Sequence, residues 1–206
     1  MAAKASIMPI VGKIYCSSSN VVLGVRTRPR VANGGGLVVT DCSQKVVFRV
    51  EGCGTLGKKT ELILRDGNGN ALLLIRRKGG IVEALSIYKQ WKSYTTDYEG
   101  SQKLVFSLKE PNSFIVQNNP IRITIEPMEQ NKHSSYEIKG CFSEKDCSIV
   151  DSRGNIIAQV GMEEELKEVM ASKDLYHVLV KPGIDQAFIF GVIAILDYIY
   201  DGSTRC

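Results

Sequence analysis

The strongest hydrophobic pattern in the chain lies close to its C-terminal end. The ten residues Ala187–Leu196 include no polar side chain. A helix that is apolar on every side must be buried all round or lie in lipid, and this run is shorter than the roughly 20 residues that span a bilayer. We therefore predict a helix over Asp185–Tyr200 that the rest of the protein encloses. Asp185 is its predicted N-cap and Gly202 follows its end. A buried pair of strands is the alternative, because Ile, Val and Phe also favour strands.

Residues 20–182 have a different pattern, in which short β-rich runs alternate with turn residues. The predicted strands are Val21–Thr27, Leu37–Asp41, Val46–Val50, Glu61–Arg65, Ala71–Arg77, Ala84–Trp91, Lys103–Leu108, Ser113–Gln117, Ile121–Glu126, Ser135–Gly140, Ser148–Val150, Ile156–Val160 and His177–Lys181. A short amphipathic helix is predicted over Glu163–Ser172, because its first turn is acidic and Lys173 follows its end, as the helix dipole prefers.

One turn motif recurs between the predicted strands. Asp41, Asp66 and Asp151 each stand between two β-rich runs, and Gly or Asn follows the last two within four residues. An aspartate in this position accepts hydrogen bonds from backbone N–H groups further along the turn. The motif predicts a meander of antiparallel hairpins, and its unequal spacing argues against a solenoid or a propeller.

Length and charge limit the domain organisation and the class of partner. With 206 residues and a net charge of +4, we predict an N-terminal extension over residues 1–19 and one domain over residues 20–206. This mild charge does not predict nucleic acid as a partner. The six cysteines form no Cys-x-x-Cys pair and the start lacks the apolar region of a signal peptide. We expect a monomer inside the cell, in the cytoplasm or nucleus or peripherally at a membrane, without a transmembrane helix.

Three glycine-rich or acidic segments imitate known sites without completing them. Gly52–Gly57 matches Gly-x-Gly-x-x-Gly and nearly matches a P-loop, but a predicted strand follows instead of a helix. Asp66–Asn70 resembles the start of a calcium loop, but Arg77 stands where a bidentate Glu is needed. We predict no catalytic residue, metal site or cofactor. An enzyme or a small-ligand binder, with a site that the sequence does not reveal, remains the alternative.

Two groups of basic residues suggest phosphate binding. They are Arg26, Arg28 and Arg30, and Arg76, Arg77 and Lys78. Residues two apart share one face of an extended segment, and Pro29 predicts that the first segment is an edge or irregular strand. Such clusters can hold the phosphates of lipids or nucleotides, so these six are the predicted lipid- or phosphate-binding residues. The alternative is a solvated basic edge that prevents aggregation.

An ordered set of segments carries a family resemblance. They are Asn33–Asp41, Val46–Val50, Leu62–Asp66, Leu72–Lys78, Tyr136–Gly140, Ser148–Asn155 and Val180–Asp197. These segments resemble plant LURP-one-related proteins, a family that is similar to the tubby C-terminal domain and to phospholipid scramblases. The resemblance extends over roughly Val21–Gly202.

The resemblance implies both a fold and a function. The implied fold is mostly β (α+β), a closed antiparallel barrel of about 12 strands that encloses the hydrophobic C-terminal helix. The implied function is non-enzymatic. It is a regulatory module that associates with a membrane or a phosphoinositide, or that binds a protein partner, with a link to plant defence in some members. A scramblase-like protein is a further alternative, and it would need a membrane-inserted helix.

Overall fold

The chain folds into a closed antiparallel barrel around one helix. The structure, a computed structural model, describes residues 9–28, 35–52, 61–78, 88–97, 99–111, 120–126, 135–161 and 174–204. Within these residues the strands are β1 (Val21–Arg28), β2 (Gly36–Thr40), β3 (Val46–Glu51), β4 (Glu61–Asp66), β5 (Ala71–Arg77), β6 (Tyr88–Thr96), β7 (Gln102–Pro111), β8 (Arg122–Ile125), β9 (Ser135–Cys141), β10 (Asp146–Asp151), β11 (Ile156–Gly161) and β12 (Leu175–Val180). The enclosed helix is α1 (Gln186–Tyr200). The predicted architecture is confirmed.

Each strand pairs with its neighbours in sequence, and the first strand pairs with the last. Val25 of β1 faces Tyr176 of β12 on one side and Val39 of β2 on the other. Because β1 has a partner on both sides, the edge-strand alternative for this segment is wrong, whereas an irregularity at Pro29 stays a prediction. Pro29 itself lies outside the described residues.

Helix α1 fills the barrel. Every residue of α1 from Ala187 to Asp197 is buried, and the walls meet it with aromatic rings. The rings of Phe106 and Phe188 are 5.2 Å apart and perpendicular, and those of Phe48 and Phe190 are 5.4 Å apart. A helix without a polar face is stable here because strands surround it on all sides.

Both predicted caps of α1 are confirmed. The Asp185 carboxylate accepts the Phe188 N–H at 3.2 Å, which satisfies one of the free donors at the helix start. At the other end, Gly202 has a φ of 70° and donates its N–H to the Asp197 carbonyl at 2.6 Å. The positive φ is the reason that a glycine follows the helix.

The aspartate turns also form as predicted. Asp66 accepts the N–H groups of Asn68 and Asn70 at 2.9 and 2.8 Å, and Asp41 and Asp151 make equivalent bonds. A fourth turn of this kind, at Asp97, accepts two N–H groups at 3.0 and 2.8 Å. This turn was not predicted from the sequence, because no predicted strand ended at that position.

Strand β6 shows the largest difference from the predicted boundaries. It was predicted over Ala84–Trp91, whereas the structure has Tyr88–Thr96, and residues 84–87 lie outside the described part. The alternation continues past Trp91, because Ser93 is buried inside the barrel while Lys92 faces outward. A buried serine conceals this alternation in the sequence. The predicted strand Ser113–Gln117 and helix Glu163–Ser172 lie outside the described residues.

The C-terminal tail closes the barrel at the end of α1. The Asp197 carboxylate accepts the Ser203 hydroxyl at 2.6 Å and the Thr204 N–H at 2.8 Å. The fully buried Lys145 ammonium pairs with Asp201 and lies over the Phe142 ring, 4.1 Å from its centroid. These contacts explain why the chain after α1 packs back onto the barrel.

Candidate functional site

The outer face of β5–β8 carries cations that strand pairing places side by side. Lys109 of β7 lies directly opposite Arg122 of β8. Arg76 of β5 lies directly opposite Lys92 of β6 in the same way. Like charges in directly opposite positions destabilise a sheet. An anion bound between them would relieve this repulsion.

An open groove lies beside Lys109 and Arg122, and its volume is about 720 Å³. Its polar lining combines two cations, three hydroxyl groups and one carboxylate. They are Lys109, Arg122, Tyr88, Thr124, Ser135 and Glu137. We call this region the β6–β9 groove. Cations and hydroxyl donors around one space are the groups that hold a phosphate or sulfate oxygen.

The acidic residue of the groove holds its arginine only weakly. Glu137 forms an ion pair with the Arg122 Nε, with its Oε1 at 3.3 Å, and the side chains of Glu137 and Arg122 are 37% and 67% exposed. Exposed pairs of this kind contribute about 0–1 kcal/mol. Arg122 can therefore turn from Glu137 to a stronger anion at little cost.

Arg76 is held more firmly than Arg122. Its Nε donates to Glu61 at 2.8 Å and its Nη1 donates to Gln102 at 2.9 Å. The Glu61 side chain is only 7% exposed, so its carboxylate needs the Arg76 guanidinium to offset the free-energy cost of burying its charge. We therefore assign Arg76 mainly to the stability of the barrel wall.

The first predicted basic group lies on a different part of the barrel. Arg26 and Arg28 are both exposed on β1, as their spacing predicted, and Arg30 lies outside the described residues. The Arg28 Nη2 also donates to the Val50 carbonyl at 3.2 Å. No contact in the described part of the chain joins these arginines to the β6–β9 groove.

The second predicted group is divided by the alternation of β5. Ile75 faces the core, so Arg76 points outward and the half-buried Arg77 falls on the inward side. Lys78 is exposed just beyond the strand, and its backbone N–H donates to the Gln90 carbonyl at 2.8 Å. Because Gln90 faces Lys109, Lys78 lies in the same lateral row as the groove cations.

The two predicted groups do not form one site. Strands β2, β3 and β4 separate β1 from β5. At about 4.8 Å per strand, the two strands are on the order of 19 Å apart along the wall. Of the predicted residues that the structure describes, Lys78 is the one that shares a lateral row with the groove cations.

The two groove cations were not predicted as site residues from the sequence. Lys109 and Arg122 belong to different strands, and a connection separates them in the sequence. The available signal was their alternation with buried residues, as in Leu108–Lys109 and Ile121–Arg122–Ile123. Alternation places each on the outer face, but only the register shows that they meet.

Burial raises the pKa values of three ionisable groups inside the barrel. Burial raises the pKa of Cys147 to about 12 and the pKa of Tyr176 well above its ordinary value. Both groups are therefore neutral at pH 7 and are poor nucleophiles. Burial also raises the pKa of Asp197. Among the residues that the structure describes, no three His, Cys, Asp or Glu side chains are grouped to hold a metal.

A helix that crosses a membrane must be both long and apolar. Helix α1 has 15 residues, and none of the helices in the described ranges is long and apolar enough to cross a membrane.

Comparison with known proteins agrees with the fold and with the ordered motifs. The sequence model of the family described as LURP-one-related matches residues 21–197. The chain belongs to the LURP-one-related family. The resemblance noted in its sequence is thereby confirmed.

Plant proteins are close relatives of this LURP-one-related chain. It is 53% identical over 198 residues to Protein LURP-one-related 6 of Arabidopsis thaliana, which covers 96% of the chain and 98% of the relative. It is 50% identical to Protein LURP-one-related 16 of the same plant, with complete coverage of both. Neither name states an enzymatic activity.

A solved structure supports the fold independently. An X-ray structure of an Arabidopsis thaliana protein superposes with a TM-score of 0.64, and it covers 93% of this chain and 98% of the other. The two sequences are 19% identical, so the likeness bears on the fold alone.

Proposed function

We propose that the protein is a non-enzymatic module that binds a phosphorylated lipid head group at a membrane surface through the β6–β9 groove. The observation that carries this proposal is the pair Lys109 and Arg122, two facing cations at the wall of an open, hydroxyl-lined groove. The proposal moves the binding residues from the predicted arginines of β1 to β7 and β8.

The size and charge of the groove match a phosphoinositide head group. Small-molecule sites usually have volumes of about 300–1,000 Å³, and the groove has about 720 Å³. Lys92 and Lys78 extend the positive charge beyond Lys109 and Arg122 along the same face. Each lysine or arginine near an anionic membrane contributes about 1 kcal/mol.

The position of the site favours binding at a surface over insertion. The groove opens on the outer wall, where a head group can approach it. Helix α1 is enclosed by the strands, so the scramblase alternative, which inserts this helix into lipid, would require the barrel to open. Surface binding needs no such change.

Vesicle co-sedimentation tests the proposal. The intact chain is mixed at low salt with phosphatidylcholine vesicles that contain or lack a phosphoinositide. We expect binding only to the phosphoinositide vesicles. The double variant Lys109→Gln with Arg122→Gln should weaken this binding by about 2 kcal/mol, roughly 30-fold, since two cations are removed.

Matched variants separate this site from general charge. Arg26→Gln with Arg28→Gln removes the same charge from β1, and Lys45→Gln with Arg153→Gln removes it from two exposed turns. Both should bind like the unmodified protein. Equal binding of the unmodified protein to both kinds of vesicle would refute the proposed function, and a larger loss in the β1 variant would transfer the site to β1.

A further inference from the structure

The segment before β1 crosses the end of the barrel where α1 begins. We call residues 9–17 the strap. The Tyr15 ring lies 5.7 Å from the Phe48 ring, and Cys16 forms an antiparallel bridge with Asp185. The Gly183 N–H donates to the Ser17 carbonyl at 2.7 Å. The strap therefore contacts the start of α1 and the wall beside it.

One carboxylate holds the strap and caps the helix at the same time. The Asp185 Oδ2 accepts three consecutive N–H groups of the strap, from Ile10 at 3.0 Å, Val11 at 2.7 Å and Gly12 at 2.9 Å. Its Oδ1 accepts the Phe188 N–H of α1. Successive N–H groups directed at one anion form a nest. Because Asp185 is completely buried, these bonds form away from competing water.

The strap side chains lie on the surface of the barrel core and not inside it. None of its residues is buried, and Ile14 is 84% exposed. Exposed polar residues, Ser18, Ser19 and Asn20, connect it to β1. Regions with few buried contacts open locally at much lower cost than the whole fold. Ile10, Val11 and Tyr15 pack against the barrel core without being fully buried.

We infer that this end of the barrel is a binding site for an extended peptide segment, and that the strap is an exchangeable occupant of it. The site makes three kinds of contact with a peptide. The buried Asp185 carboxylate accepts three consecutive N–H groups, the Phe48 ring packs against an aromatic residue at the position of Tyr15, and the Gly183 N–H donates to a carbonyl. The chain's own residues 9–17 supply all three. The site lies apart from the groove, so the inference does not depend on the proposed function.

Cleavage of the folded, full-length chain tests the exchange. A protease recognition sequence is inserted between Ser18 and Ser19, and the folded protein is cut there. A fluorescent synthetic peptide of residues 9–18 is then added, and its anisotropy is followed. We expect the labelled peptide to bind one-to-one by displacing the cut strap, while the barrel keeps its thermal transition.

Backbone methylation of the peptide isolates the carboxylate contact. A peptide with N-methylated Val11 lacks the donor of the 2.7 Å bond and should bind about tenfold to a hundredfold more weakly, as expected for a hydrogen bond to a charged group. Asp185→Asn in the protein should weaken the unmodified peptide similarly. Asp146→Asn, an exposed carboxylate at the start of β10, serves as the control and should change nothing.

Two results would overturn the inference. One is loss of the barrel's thermal transition when the cut strap dissociates, which would make the strap part of the core. The other is equal affinity of the methylated and unmethylated peptides, which would remove Asp185 from the recognition. Because the methylated peptide leaves the protein unaltered, this comparison stands even where Asp185→Asn fails to fold.

Discussion

Gly191 of α1 lies where the helix packs closely against the barrel wall. A Cβ at this position would lie 2.8 Å from the Leu73 Cδ1 and 3.2 Å from the Phe106 Cζ. Alanine is preferred over glycine inside a helix by about 0.8–1.0 kcal/mol. We nevertheless expect Gly191→Ala to destabilise the protein, because the added methyl group has no room.

The magnitude follows from how little the two neighbours can move. Leu73 is 1% exposed and Phe106 is fully buried, and the Phe106 ring is held perpendicular to that of Phe188. Overpacking of this kind costs about 1–3 kcal/mol. After the helical preference of alanine is subtracted, a net loss of about 1 kcal/mol remains, which lowers the Tm of a chain of this size by roughly 2–4 °C.

Urea unfolding of a double-mutant cycle tests this explanation. Leu73→Val shortens the nearer of the two side chains, so the loss in the double variant should be smaller than the sum of the two single losses by at least about 0.5 kcal/mol. A Gly191→Ala protein that is more stable than the unmodified chain would refute the steric argument. Strict additivity of the two substitutions would refute the assigned contact.

Two further predictions concern the end of the barrel that the C-terminal tail closes. Burial raises the pKa of Asp197 above its ordinary 3.8, so the native state binds this proton more tightly than the unfolded state, and the contribution of Asp197 to stability falls as pH rises from about 3.8 to the raised value. Asp197→Asn should flatten that part of a plot of urea midpoint against pH, and an unchanged slope would contradict this. A Cβ at Gly35 would overlap the Ser203 carbonyl oxygen, whereas one at Gly161 meets no atom within 4 Å. Gly35→Ala should therefore cost about 1–3 kcal/mol in thermal unfolding and Gly161→Ala less than about 0.5 kcal/mol; equal effects would contradict the contact with the tail.

Local patterns were sufficient to predict most of the barrel. The apolar run of α1 needed an enclosure, and the turns at Asp41, Asp66 and Asp151 defined hairpins that could supply one. These signals depend on residues close together in sequence. The caps of α1 were predictable for the same reason, because Asp185 and Gly202 act on the backbone within a few residues of themselves.

Features that depend on distant neighbours were not predictable. Ser93 is buried in the wall of the barrel, and nothing near it in sequence indicates this. The register between β7 and β8, which places Lys109 opposite Arg122, is set by the barrel as a whole. The opposite orientations of Arg76 and Arg77, by contrast, were predictable. The alternation that grouped Arg26 with Arg28 also implies that adjacent residues of a strand face opposite ways.

The structure separates the two proposed sites from each other and from the fold. Helix α1 occupies the interior, and a buried aspartate near each of its ends holds one terminal segment, Asp185 the strap and Asp197 the tail. The interior therefore serves stability, and ligand binding has to use the outer wall or the ends. The β6–β9 groove lies on the wall, whereas the strap contacts β3 and the start of α1. Removing Lys109 and Arg122 should accordingly leave peptide exchange unchanged, and Asp185→Asn should leave vesicle binding unchanged. A variant that altered both would indicate that the strap and the groove are coupled through the strands between them.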